Sequence, residues 1–514
     1  MEQLSFLTDI PKNGKGSLAE SAFSHQSVAA ESERMALERC YSFLLEEAKH
    51  FNRKLVSFQA SKDAILHGWL KYREGFSPQL VAALLDEFAI GAGDHLLEPF
   101  AGSATTLLTA MMRGIDATGI ELLPHCHLAW QAKSQIAHYS VDELKQITRQ
   151  AATQIVPQAR AGFPHLTITE GAFLEETENE LMAFTEWIEE AAISDEARVL
   201  CRLVLTSILE AVSFTRKDGQ YLRWDGRSAK LQGRNHRRIA QGKKEVVGID
   251  KGGLPTVRDA FCAALRDVIR DIEILQRQTF PASTQTLLEG NTLYILSTLA
   301  GEQFSGVITS PPYANRYDYT RTYALELAYL GVGERIFDLR QSLLSCTVEN
   351  RSKLEELRRH YEAIDACERF EAIVRVIQRN AALSEVNEAL RIRQERGEIN
   401  NRGVLSMIEN YFTELAFVFA ELFRVCRSGA QVAFVNDNVR YAGEIIPVDL
   451  LCTNLAEQIG FEPLKVYVLP QRKGNSSQQM GKFGRAALRK SITIWRKPQE
   501  KHRRFIPNRQ RTVQ

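Results

Sequence analysis

Two short runs in this sequence combine residue types that a reaction could use. The first is Ser310-Pro311-Pro312-Tyr313, directly after the apolar run GVIT. Consecutive prolines fix the backbone and remove two N–H donors. They hold the Ser310 side chain and the Pro311 carbonyl toward one small volume, beside which Tyr313 can lay a flat ring. This suits a flat ligand carrying an amino group: the ring stacks on its face and the two acceptors take the amino hydrogens. The second run is Glu98-Pro99-Phe100-Ala101-Gly102-Ser103. A glycine placed after a strand lets the backbone approach a ligand closely, with the following amides facing outward. Glu121 lies at about the 20-residue separation expected of an acid that grips ribose hydroxyls. A carboxylate fits that task because it accepts from both the 2′ and 3′ hydroxyls. The turn lacks the Gly-Lys-Ser/Thr of a phosphate loop and the full G-x-G-x-x-G dinucleotide pattern.

Strands must deliver both runs. LLEPF (96–100) and ATGIEL (117–122) read as short strands around a helix from Thr105 to Arg113 that Gly114 ends, the front half of a βαβ unit. Strand patterns return at TLLEG (286–290), SGVITS (305–310), AQVAFVN (430–436), LKVYVLP (464–470) and SITIWRK (491–497), with helices over 404–427 and 445–460. Residues 31–70 show helical spacing, with Leu37, Tyr41, Leu44 and Leu45 on one face. Asp437 and Asn438 read as a plain strand-end turn. The expected fold is α/β, an open sheet with helices on both faces, carrying two mainly helical inserts. The predicted organisation is an N-terminal helical arm (1–64), a catalytic domain in three parts (65–135, 283–334 and 404–497), inserts at 136–282 and 335–403, and a basic tail (498–514). Ligands of such sheets sit beyond the carboxyl ends of the strands.

With those runs in place, the sequence resembles the amino-methyltransferases of DNA modification. EPFAGS (98–103) resembles the family's cofactor motif and SPPY (310–313) its catalytic motif. REGFSP (73–78), with Phe76 and Ser77, resembles the segment that covers the methionine end of the cofactor. EGNT (289–292) resembles the strand end that contacts the adenine, with Asn291 where the family often has Asp. QRKGNSSQQMGKFGR (471–485) before SITIWRK is similar to the family's C-terminal loop and last strand. The resemblance implies a Rossmann-like sheet, S-adenosyl-L-methionine as cofactor, and cofactor contacts at Phe76, Ser77, Glu98, Pro99, Phe100, Gly102, Ser103, Glu121 and Asn291. It implies direct in-line methyl transfer to an exocyclic base amine, with Ser310, Pro311, Pro312 and Tyr313 catalytic. Ser in the first motif position is commoner for cytosine N4, and Asp or Asn for adenine N6. A cytosine-C5 enzyme would need a cysteine nucleophile, usually in a Pro-Cys pair, and the chain has no such dipeptide.

The expected partner is double-stranded DNA with the target base flipped out of the stack, alongside cognate restriction or defence proteins. A long segment separates the two motifs, and in this family such spacing implies that target recognition lies between them. Its basic, glycine-punctuated stretch 215–251 is the candidate, with Arg216, Lys217, Arg223, Arg227, Lys230 and Arg234 expected on DNA. Arg316, just past SPPY, is expected there too, and Asn315, Tyr317 and Tyr319 are candidates for the pocket wall. Lys473, Lys482 and Arg485 form a second basic loop, and Arg503, Arg504, Arg509 and Arg511 a basic arm. Net charge is +1 over 514 residues, so any nucleic-acid surface must come from local clustering. Eight cysteines scattered from Cys40 to Cys452 without a C-x-x-C pair give no zinc or disulfide framework. No metal is expected. The N-terminus has no apolar signal core, and the expectation is a cytoplasmic protein without a membrane span.

Overall fold

The computed structural model describes residues 27–499, except 49, 52–53, 63, 155–157, 219–220, 470–482 and 484–487. The arm up to residue 26, the loop carrying Lys473, Lys482 and Arg485, and the tail arginines Arg503, Arg504, Arg509 and Arg511 lie outside the described residues.

Twelve strands occur among the described residues: β1 (Leu45–Glu47), β2 (His95–Glu98), β3 (Asp116–Glu121), β4 (Thr215–Asp218), β5 (Tyr221–Trp224), β6 (Gln285–Glu289), β7 (Phe304–Thr309), β8 (Cys426–Asp437), β9 (Val439–Tyr441), β10 (Glu444–Ile446), β11 (Glu462–Leu469) and β12 (Lys490–Arg496). Eight of them form one sheet in the order β1-β11-β12-β8-β7-β2-β3-β6. β12 is antiparallel to both neighbours, and every other pairing in the sheet is parallel. The central strands read as continuous apolar runs because both of their faces are covered. Leu97, Val307, Val432 and Phe434 pack on one side against the helices Gly403–Val425 and Val448–Ile459. Their alternates Leu96, Ile308, Ala433 and Val435 pack on the other side, against Leu80, Val81 and Leu84 of the helix Pro78–Glu87. This is the α/β sheet with helices on both faces that the strand and helix pattern predicts, in the Rossmann-like form that the resemblance implies.

The first insert holds helices Val141–Thr153, Glu175–Glu190, Asp195–Val212 and Val257–Leu275, whose apolar faces share one core with the segment after SPPY. The second holds Leu354–Ala363, Cys367–Gln378 and Ala381–Glu395.

Three local readings change. Among the described residues of 31–70 the spacing forms an α-helix at Ser32–Tyr41 and short 3-10 turns after it, and β1 adds a short edge strand parallel to β11. The chain expected to be helical from 445 first closes the β9–β10 hairpin. The stretch 215–251 is also more regular than a loop: β4 and β5 pair as a hairpin, followed by the helix Ala229–Ala240.

Candidate active site

Four adjacent parallel strands, β7, β2, β3 and β6, end at the same edge of the sheet. Leu96 and Leu97 of β2 are in register with Gly306 and Val307 of β7, so the bends after these two strands emerge side by side. A cavity opens there, and its wall includes Gly102, Glu121, Asn291, Ser310 and Pro312. Each strand of the quartet thus contributes through its carboxyl end or the turn after it. Phe76, Glu98, Phe100 and Ser103, also expected from the sequence, lie on the wall too.

The other predicted residues stand just behind this wall. Ser77 is fully buried and caps the helix Pro78–Glu87, its side chain accepting from the Leu80 N–H at 3.2 Å. The Pro99 carbonyl accepts from the Thr292 hydroxyl, tying the end of β2 to the turn after β6. Pro311 is buried. Tyr313 stands outside the cavity lining, and its phenol oxygen accepts from the Ser310 hydroxyl at 3.0 Å.

The turn itself explains its sequence. Gly102 has φ +52, and a Cβ there would lie 2.7 Å from the Tyr72 ring. Only a residue without a side chain fits both the conformation and the space. The Gly102 amide donates to the Glu121 carboxylate at 2.7 Å, and the amides of Leu122 and Leu123 donate at 2.9 and 2.7 Å. These amides fix the carboxylate on the cavity wall while leaving lone pairs over. Burial still raises Glu121 above the usual carboxylate range, against the pull of the three amides. Glu98 is pushed further up by burial, and its Oε2 has no hydrogen-bond partner. Asn291 accepts from the Leu293 N–H at 2.9 Å through its side-chain oxygen, which leaves its amide nitrogen buried and unpartnered. A cavity whose wall carries an unpaired acceptor and an unpaired donor fits a polar ligand.

Sequence reasoning missed Tyr72 and Glu74 on the same wall. Glu74 is half-buried, its carboxylate accepts from the Tyr323 hydroxyl, and desolvation raises it. The second insert adds Ser342, Leu343 and Leu344. Tyr319, one of the candidates after SPPY, does reach the wall.

Over 479 residues the chain is 53% identical to the type II methyltransferase M.BsoBI of Geobacillus stearothermophilus, an alignment that covers 93% of this chain and 94% of that protein. The chain belongs to the type II methyltransferase family. It is also 38% identical over 479 residues to the type II methyltransferase M.AvaI of Nostoc sp. and of Anabaena variabilis, covering 90% of this chain and 93% of each relative. A shorter stretch of 82 residues is 38% identical to M.MjaII of Methanocaldococcus jannaschii. No family model matches the chain. As a type II methyltransferase it is a DNA methyltransferase of a restriction–modification system, and its methyl donor is S-adenosyl-L-methionine.

Around the cavity of this methyltransferase, the basic residues of the first insert fall into two groups. Arg223, Trp224, Lys230 and Arg234 line a second groove, together with Val247 and with Arg321 from the helix Tyr319–Thr322. Lys230 lies 5.4 Å over the Trp224 ring. Arg216 is exposed, and Arg227 is half exposed beside Asp225 at 2.8 Å. Lys217 departs from the expected surface position. Alternation along β4 turns it inward, where it is buried against Glu326 and 4.6 Å over the Tyr323 ring. An interior ion pair of this kind is not available to phosphate. Arg316, at φ +67, reaches Asn400 at 3.4 Å. Asp437, read as a turn residue, is still in β8 and faces Lys490. Asn438 takes the structural part, its side chain accepting from the Asp449 N–H at 3.0 Å. Among the described residues, no group of three or more His, Cys, Asp and Glu could hold a metal ion, and no helix is long and apolar enough to cross a membrane.

Proposed function

We propose that this methyltransferase transfers the methyl group to the exocyclic N4 amine of cytosine in DNA. The observation that carries the reading is the shared wall: Ser310 and Pro312 of the double-proline bend, Gly102 of the glycine bend and Glu121 at the end of β3 border one cavity. The bound cofactor supplies an electrophilic methyl group on a sulfonium sulfur. Glu121 is suited to accept from the ribose hydroxyls, and Gly102 lets the backbone come close. Asn291 has a free N–H rather than a free acceptor, so it would donate to an adenine ring nitrogen. Glu98 and Glu74 offer carboxyl groups to the positive end of the cofactor.

An exocyclic amine is a weak nucleophile because its lone pair is delocalised into the ring. In this reading the Ser310 oxygen and the Pro311 carbonyl accept its hydrogens, draw them from the ring plane and localise the lone pair. The same acceptors stabilise the positive charge that builds on nitrogen. Holding the amine and the methyl about 3–3.5 Å apart supplies much of the remaining acceleration. The base must leave the duplex to reach Ser310, and the unstacking cost of a few kcal/mol is recovered by stacking, for which Tyr313 is the candidate ring. Serine as the first residue of the tetrapeptide favours cytosine N4 over adenine N6. The exposed cations Arg216, Arg223, Arg227 and Arg234, with the half-buried Lys230 and with Arg321 and Arg316, are proposed to hold the flanking DNA. Lys217 is left out because it is buried.

The test is to incubate the protein with cofactor and unmodified DNA, digest to nucleosides and identify the methylated one by mass. N4-methylcytosine is expected, and N6-methyladenine alone would overturn the base assignment. Pro312→Ala and Tyr313→Ala are expected to abolish transfer while the cofactor still binds in calorimetry. Full activity in either would refute the catalytic assignment.

A further inference from the structure

Lys490 opens β12 directly across from Asp437, the last residue of β8. Its ammonium lies 3.3 Å from the Asp437 carboxylate and 5.1 Å over the centre of the Tyr313 ring. The start of its stem is fixed. Arg489, the residue before it, is buried with its guanidinium 2.8 Å from Asp449, and its carbonyl accepts from the Asn438 N–H at 2.9 Å. At the other end of the chain of contacts, the Ser310 hydroxyl donates to the Tyr313 oxygen at 3.0 Å. Each group therefore has an assigned partner: carboxylate to ammonium, ammonium to ring, phenol oxygen to serine proton. A cation over an aromatic face holds that ring by its quadrupole, and the ring carries the oxygen that takes the Ser310 proton. A serine whose proton is directed to Tyr313 presents lone pairs to whatever approaches it. That is the state required of an acceptor for amine hydrogens. Asp437 balances the ammonium, so the nitrogen that becomes positive during transfer does not face an uncompensated cation.

The geometry points to Lys490 as a positioning residue of the methyl transfer, acting through Tyr313 to keep the Ser310 hydroxyl turned away from the target amine. This rests on the reading of Ser310 as an acceptor for that amine.

The test measures transfer of labelled methyl to unmodified DNA over a range of DNA concentrations for the full chain, Lys490→Met, Lys490→Arg, Asp437→Asn, Ser310→Ala and the double variant Lys490→Met/Ser310→Ala. Cofactor affinity by calorimetry on the same samples identifies any variant that has lost its fold. Lys490→Met is expected to lower kcat about tenfold, with KM for DNA and cofactor affinity within about twofold of the parent. Lys490→Arg keeps the cation and should recover most of that loss. Asp437→Asn, which loosens the ammonium without removing it, should lower kcat by about threefold. On the Ser310→Ala background Lys490→Met should cost less than about twofold, because the group it orients is gone. The same tenfold loss on both backgrounds, or an unchanged kcat in Lys490→Met, would overturn the positioning role. Full activity in Ser310→Ala would instead overturn the reading of the acceptor itself.

Discussion

At the scale of single residues, the cavity is defined by what its turns exclude. Gly102 combines a left-handed backbone with a Tyr72 ring 2.7 Å from where a Cβ would stand. A side chain there costs about 1–2 kcal/mol in backbone strain alone, before the ring is displaced. Gly102→Ala is therefore expected to weaken S-adenosyl-L-methionine binding by about tenfold or more, read by calorimetric titration. Glu98 adds a pH dependence whose sign follows from burial. Its carboxyl is raised well above the usual range because it is desolvated, and one oxygen lacks a partner. In the free protein the neutral acid is favoured, whereas a ligand bearing a sulfonium and an ammonium favours the ionised form. Cofactor binding is then expected to release protons, and affinity to rise with pH until Glu98 ionises in the free protein. Calorimetry in two buffers of different ionisation enthalpy measures the release, and Glu98→Gln should lose most of it. The same shift makes Glu98 a group whose contribution to folding stability is present at low pH and lost as pH rises through its raised pKa.

At the scale of elements, legibility in the sequence followed the range of the interaction. The strands that deliver the site were readable because parallel strands buried on both faces carry apolar runs of strand length, each closed by a glycine or proline bend. Those are local signals, and they located Gly102, Glu121, Asn291 and Ser310 on adjoining strand ends. β1 was not readable, since three residues show no alternation and Leu45 continues the helical spacing of Leu37 and Tyr41. Lys217 and Lys490 are not readable either: each is placed by a partner far along the chain, Glu326 and Tyr313, and a lysine's charge does not announce an interior or half-interior position. Lys133, at the end of the helix Pro124–Lys133, is a third such case, and here no partner compensates. Its ammonium is fully buried without a hydrogen bond, and burial lowers it to about 8. Below that pH the unfolded and folded chains both hold the proton, and the folded state carries the whole penalty, about 3 kcal/mol at 1.36 kcal/mol per pKa unit. The penalty fades as pH rises from about 8 toward the ordinary lysine value, because there the unfolded chain binds the extra proton. Lys133→Met, of similar shape, should raise the melting temperature at pH 7 and do so less at pH 10.

At the scale of the whole molecule, one sheet edge must serve two ligands of opposite charge. The cavity is walled by the carboxyls of Glu74, Glu98 and Glu121, which favour a cationic ligand and offer phosphate no cation. The groove that carries Arg223, Lys230, Arg234 and Arg321 lies on the first insert and on the helix that follows SPPY. Opposite charge is thus separated onto different elements joined by one core, which includes both Leu222 of β5 and Tyr319 of that helix. A polyanion guided to the basic groove would be held beside the double-proline bend while being kept from the acidic cavity. Such contacts release counterions, so the slope of log affinity against log salt counts them, at about 0.9 per phosphate neutralised on duplex DNA. Arg223→Ala and Arg234→Ala are each expected to weaken DNA binding and reduce that slope by about 1, with cofactor affinity unchanged. Removing a charge that takes no part would leave the slope where it was, as Arg160→Ala should: that arginine lies beside Glu186 and Glu190 and away from the groove. A salt titration that gave the same slope for Arg223→Ala, Arg234→Ala and Arg160→Ala would place the DNA on some other face of the molecule.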